Sequence, residues 1–278
     1  MYKAIYYNRP DNTIHLWDDE NGYSTFPYEK YAYVIDDKGS NTTLTGLKVK
    51  KVKSWSKEAE KQGLVFEHDV PVCSRILIDR YYDSDDPSKN NVVLYFDIEV
   101  EKGLKYSLPK DADNVITSIA YFDDKSKQYH CLLLDREGNL EDSKRDIKIT
   151  GTDKTIPVQV KVHPTEEKLL QDFIIRWHRI APNIVTGWNS QNFDIPYLYN
   201  RIKNVLGINW ANKLSPIEIV EKREYGRDSF LQFAGIAQMD YMLLYKKFTY
   251  NEESSYKLDF IAKKELKRGK LEYEGSLD

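Results

Sequence analysis

Val92-Val93-Leu94-Tyr95-Phe96-Asp97-Ile98-Glu99-Val100 is the stretch whose reading decides the fold class. Five apolar or aromatic residues run straight into an acid, and a second acid follows two places later. A continuous apolar run of this length predicts a strand buried on both faces. Side chains at i and i+2 of a strand share a face, so Asp97 and Glu99 are expected to project together from one edge of a sheet. Neighbouring carboxylates repel, and burying either one unpaired is costly. A pair of hard divalent cations is the expected counter-charge.

Downstream, Pro164-Thr165-Glu166-Glu167 predicts a helix start, with Thr165 as cap, acids in the first turn, and Leu170, Phe173, Ile174 and Trp177 on one apolar face. A short strand, Ile184–Trp188, leads through Asn189-Ser190-Gln191-Asn192-Phe193-Asp194 into a second helix from Ile195-Pro196 to Gly207. Asp194 therefore falls at a strand-to-helix junction, where it is expected to join Asp97 and Glu99 at the sheet edge, a role compatible with capping the helix. Three carboxylates at one edge suit Mg²⁺ or Mn²⁺, which take oxygen ligands. Two such ions about 4 Å apart activate water and stabilise the leaving oxygen of a phosphodiester.

Other elements follow the same logic. Residues 115–122 and 129–134 predict a hairpin around Asp123-Asp124-Lys125-Ser126, with His130 packed neutral inside it, and 136–156 a polar surface excursion. Ile217–Val220 and Ser229–Phe233 predict a long hairpin, Ile236–Asp240 a strand, Tyr241–Phe248 a helix, and Ser254–Leu266 a helical tail. Strands and helices in this order indicate a mixed sheet with helices packed on it, an α/β unit over 91–278. Residues 1–90 read as a separate β-rich domain of short strands, and Tyr82–Asn91 as the linker. Lys48–Lys53 reads as a basic edge strand, and His15 and His68 as structural.

Composition sets broader bounds. With 278 residues, 41% hydrophobic and 31% charged, the chain is an ordinary soluble globular type with no apolar run of membrane-spanning length. MYKAIYYNRP lacks a signal peptide's apolar core, and Cys73 and Cys131 have no metal-site spacing. Free thiols in a reducing, cytoplasmic compartment are expected. A net charge of −3 argues against electrostatic coating of nucleic acid, though not against a local basic groove.

Taken together, the motifs resemble family B DNA polymerases, in particular the replicative enzymes of T-even-type phages. Tyr95–Glu99 looks like that family's first exonuclease motif, and Thr186–Tyr197 like its second, continuing through Tyr199–Asn204. Tyr241–Phe248 and Ser255–Ile261 match the phage branch further on. The resemblance is dense over 90–278 and looser over 1–90. It implies a ribonuclease H-like fold for the second domain, 3′→5′ proofreading of a primer end, and a cytoplasmic location in the host if phage-encoded. Asp97, Glu99 and Asp194 would be the catalytic and metal-binding acids, and Asn189 and Phe193 would contact single-stranded DNA. Leu104 or Tyr106 would wedge against the terminal base, and the hairpin near 217–237 would help part primer from template. Implied partners are primer-template DNA, the C-terminal remainder of the polymerase, a sliding clamp through that remainder, and RNA.

There is one departure. The family's third motif, Tyr-x-x-x-Asp, supplies a fourth carboxylate, and no such pattern lies downstream of Asp194. The polymerase palm is also absent. The exonuclease domain is therefore expected to be incomplete at its C-terminus, and the chain to be the amino-terminal part of a polymerase with little activity alone. Two other readings stand beside this one. The first is a nucleic-acid-binding module, along the template path or on the polymerase's own message, using Lys48–Lys53 and Lys263, Lys264, Lys267 and Arg268. The second is a stand-alone nuclease with Asp240 or Asp259 as fourth ligand.

Overall fold

The computed structural model describes residues 1–103, 107–148, 155–225 and 228–270. Two compact units divide the chain, Met1–Lys89 and Asn90–Asp278.

In the first unit, β1 (Tyr2–Asn8), β2 (Thr13–Asp18) and β3 (Gly22–Pro27) form an antiparallel sheet. Alternation in β2 buries Ile14, Leu16 and Asp18 on one face. A second sheet has the order β5-β6-β4-β7, from β4 (Ala32–Ile35), β5 (Asn41–Thr42), β6 (Lys48–Val52) and β7 (Val65–Phe66). The basic strand β6 thus pairs on both sides and is not an edge. Two helices, α1 (Lys57–Lys61) and α2 (Val72–Tyr81), were not signalled by periodicity. In α2 the residue turned inward is Arg75, held by Glu67 at 2.7 Å, so no apolar stripe marks the helix.

The second unit is built on seven strands: β8 (Val93–Val100), β9 (Ile116–Asp123), β10 (Gln128–Leu134), β11 (Ser143–Lys148), β12 (Thr155–His163), β13 (Ile184–Thr186) and, after the two-stranded hairpin β14 (Val220–Tyr225) and β15 (Asp228–Phe233), β16 (Ala237–Gln238). Their order is β11-β12-β10-β9-β8-β13-β16. β8 pairs antiparallel with β9 and parallel with β13, so the sheet is mixed. The stretch expected to be a surface excursion contains β11 and the start of β12. β12 alternates and lies parallel to β10, while polar β11 closes the edge beside it.

Among the described residues five helices accompany the sheet: α3 (Glu166–Ile180), α4 (Asp194–Leu206), α5 (Ile208–Asn212), α6 (Tyr241–Phe248) and α7 (Leu258–Leu266). The Thr165 hydroxyl accepts from the Lys168 N–H at 3.4 Å and starts α3, and Ala181 ends it in the left-handed region at φ 51°. Leu169, Leu170, Phe173, Ile174 and Trp177 of α3 join Ile195, Leu198 and Ile202 of α4 in one core with Leu94, Phe96 and Ile98. Trp177 meets Phe96 edge-on, with centroids 6.4 Å apart.

β8 is buried on one face only. Leu94, Phe96 and Ile98 face the core, while Tyr95, Asp97 and Glu99 alternate onto an exposed face. The expectation of burial on both faces is corrected here. On the open side Tyr95 packs against Phe122, which in turn packs against Tyr129, a cross-strand aromatic row that covers part of the sheet.

Candidate active site

Asp194 meets β8 where a strand ends. β13 pairs with β8 only through Ile184↔Val93, Val185↔Leu94 and Thr186↔Tyr95, then stops. Beyond that point β8 runs on without its parallel neighbour. The vacated position beside it is filled by the loop 187–193 and the first residue of α4. The Asp194 carboxylate accepts the Ile98 N–H at 3.2 Å, and Ile98 lies between Asp97 and Glu99. A ligand crevice at the carboxyl ends of parallel strands is what such a topology favours.

Close approach makes this possible. A side chain on Gly187 would place its Cβ 2.7 Å from the Phe96 carbonyl oxygen and 3.0 Å from Ser190 Cβ. Asp194 does not cap α4. Phe193 holds the N-cap position without a side-chain bond, and Asp194 is the first helical residue, its carboxylate committed to β8.

Burial is the first cause of the raised pKa values of all three acids. Asp194 is 4% exposed, and burial together with the negative charge of Asp97 pushes its pKa up to about 7, against the Ile98 N–H bond that lowers it. Desolvation raises Asp97, and desolvation and then Asp97 raise Glu99; the charge of Lys270 opposes both. Among the described residues no three His, Cys, Asp or Glu side chains are already grouped so as to hold a metal ion. The donor set nevertheless fits a hard divalent cation. It offers carboxylate oxygens only, and a cation would relieve the burden that raises all three pKa values.

Phe193 and Tyr197 line a cleft of about 380 Å³ together with Ile98, Glu99, Gly103 and Asn114. The polar side of α4 holds the loop that closes this cleft. Tyr197 accepts the Asn114 N–H and donates to its carbonyl, Asn200 donates to the Pro109 carbonyl, and Asn204 to that of Asp111. Arg201 donates to the Ala112 and Asp113 carbonyls and forks onto Glu166 at 2.6 and 2.8 Å. A second cleft of about 380 Å³ is lined by Leu108, Lys110, Asn192 and Asn200 and by the hairpin residues Lys222 and Phe230.

The pattern that defines DNA polymerase family B, exonuclease domain, matches residues 43–261. The chain belongs to the family B DNA polymerases. It is 35% identical over 202 residues to the DNA-directed DNA polymerase of Escherichia phage RB69 and 32% over 200 residues to that of Enterobacteria phage T4, each match covering 66% of this chain. A DNA polymerase of Red sea bream iridovirus is 28% identical over 186 residues, 64% of this chain. The chain spans 22% of the length of the two phage relatives and 18% of the iridovirus one.

Within this family B exonuclease domain, the remaining sequence-derived candidates are placed as follows. Asn189, at φ 63°, sits in the loop before α4, and its side-chain oxygen accepts from Asn192 at 3.0 Å. Leu104 and Tyr106 lie outside the described residues. Both acids suggested as a fourth ligand have partners of their own. Asp240 spends both oxygens on backbone N–H groups, and Asp259 pairs with Lys263 at 2.7 Å and accepts the Lys270 N–H at 2.7 Å. The basic clusters are partly engaged, Lys53 with Glu29 at 2.6 Å and Lys264 with Glu253. Sequence reasoning named Glu166 as a first-turn acid and included Tyr197 and Arg201 in the second motif and its continuation, but gave none of them a role in the site. Their signal, a polar stripe at 197, 200, 201 and 204 of a helix, is visible once α4 is assigned. No helix among the described residues is long and apolar enough to cross a membrane.

Proposed function

We propose that this chain supplies the proofreading site of a replicative family B polymerase, hydrolysing the terminal phosphodiester at a single-stranded 3′ end. The observation that supports this reading is the Ile98–Asp194 hydrogen bond, which brings Asp194 to the backbone between Asp97 and Glu99. Asp97, Glu99 and Asp194 would hold Mg²⁺ or Mn²⁺. When bound, these cations supply the positive charge that activates water and offsets charge on the leaving oxygen. The chain's own contribution is placement. Phe193 offers its ring to the terminal base, and the α4 clamp on 109–114 fixes the wall opposite. Upstream nucleotides would follow the second cleft, where Lys110 and Lys222 suit phosphates and Phe230 a base.

Partners are then single-stranded and primer-template DNA and the remainder of a polymerase. That remainder would supply the Tyr-x-x-x-Asp acid that this sequence does not contain downstream of Asp194. The test is to mix the chain with a T-even-type polymerase portion bearing that motif and the palm. Mn²⁺-dependent shortening of 5′-labelled single strands, one nucleotide at a time from the 3′ end, is expected, and Asp97→Ala abolishes it. Undiminished shortening by Asp97→Ala overturns the assignment.

A further inference from the structure

Asp240 is 3% exposed, adds its negative charge to the surroundings of Asp194, and is tied to the loop that precedes Asp194. Its Oδ1 accepts N–H groups from Asn189 at 3.1 Å, Met242 at 2.9 Å and Leu243 at 3.3 Å, and its Oδ2 accepts the Gln191 N–H at 3.0 Å. Two of these donors open α6, and two belong to the loop 187–193. Capping a helix needs only one acceptor oxygen. The second oxygen of Asp240 serves the loop alone.

Other bonds run between the same parts. The Tyr241 N–H donates to the Gly187 carbonyl at 2.9 Å, and the Trp188 indole N–H to the Tyr256 carbonyl at 3.0 Å. Within the loop, the Asn189 carbonyl accepts the Phe193 N–H at 3.1 Å, and the Ser190 carbonyl accepts the Ile195 N–H at 2.9 Å. The loop is therefore continuous with the helix start that carries Asp194. Its Asn189 occupies the left-handed region at φ 63°, a conformation that surrounding structure must hold in a residue other than glycine.

We propose that Asp240 is a positioning residue. By gripping the Asn189 and Gln191 N–H groups from the start of α6, it holds the second-motif loop on β8 and so keeps the Asp194 carboxylate on Ile98, beside Asp97. Its consequence for cation binding rests on the function proposed above; its geometric content does not. Asp240→Ser separates the two duties, because a serine hydroxyl caps α6 but lacks a second oxygen for the loop.

The experiment measures amide hydrogen exchange by NMR and Mn²⁺ affinity for the 278-residue chain and its variants. For Asp240→Ser, exchange at Asn189, Gln191 and Ile98 is expected to be at least tenfold faster, and the Mn²⁺ midpoint at least tenfold higher, with circular dichroism and the α6 amides unchanged. Asp240→Asn, which keeps one carbonyl oxygen, falls between, and it takes the place of the serine variant if that one does not fold. Unchanged exchange at Ile98 and unchanged Mn²⁺ affinity overturn the proposal. Asp194→Ala is measured in parallel. Wild-type Mn²⁺ binding that survives it overturns the cation-binding rim, while Ile98 exchange still decides the role of Asp240.

Discussion

The Ile98 N–H and the Asp194 carboxylate, 96 residues apart in sequence, meet at 3.2 Å just past the point where β13 ends. A backbone donor on β8 that has lost its strand partner is satisfied by an acid from the next helix. That acid is drawn against a carboxylate it repels.

Stability should therefore fall with rising pH when divalent cations are removed. Asp194 titrates near 7 in the folded chain, above its ordinary 3.8, so the folded state holds a proton that the unfolded state has released. This stabilising contribution is complete below the unfolded value and is lost as pH rises through 7. Asp97 and Glu99, also raised, add in the same direction. Thermal denaturation in EDTA is expected to show this loss between pH 5 and pH 8 set against the opposing gain from His130 and His163, whose pKa values burial lowers. Asp194→Asn should remove that loss, and Mg²⁺ or Mn²⁺ should restore the midpoint at pH 8.

Glu166 and Arg201 form a buried pair that also holds the Ile116 N–H and two loop carbonyls. Arg201→Ala leaves Glu166 buried without its cation, which costs about 3–5 kcal/mol in unfolding by urea. Replacing both residues with methionine should cost less than the sum of the single changes, because no unpaired charge remains. A double mutant as unstable as that sum would show that the loop contacts, not the ion pair, dominate.

Gly187→Ala tests the close approach of the loop to β8. Its Cβ would lie 2.7 Å from a backbone oxygen, which cannot rotate away. A loss of about 1–3 kcal/mol is expected, the usual range for overpacking. The crystal structure of this variant should show the Ile98–Asp194 distance lengthened.

DNA binding should divide into two kinds of loss. Phe193→Ala removes a stacking face worth about 1–3 kcal/mol and should weaken binding of short single strands equally at low and high salt. Lys110→Ala with Lys222→Ala should weaken it mainly at low salt and reduce the slope of log affinity against log salt. Fluorescence anisotropy at several ionic strengths separates the two, and an unchanged slope would remove the second cleft from the strand path.

The approach of Asp194 to the strand that carries Asp97 and Glu99 was legible in the sequence because its signals are local. Asp97 and Glu99 stand two apart on an apolar strand, and Asp194 stands at a strand-to-helix junction. Helix α3 was legible through Thr165 and its apolar face. Helix α2 was not, because its inward residue is an arginine satisfied by Glu67. β11 was hidden because five of its six residues are exposed, leaving no buried face to set a period. The duties of Asp240 and Arg201 depend on which backbone groups the fold presents to them. No spacing in a single sequence encodes that.

Anomalous diffraction from crystals of this chain soaked in Mn²⁺ tests the central claim most directly. The expected result is a manganese peak bonded to carboxylate oxygens of Asp97 and Asp194, lost in crystals of Asp194→Ala. A peak bound elsewhere, or one at the rim that persists without the Asp194 carboxylate, would contradict the account.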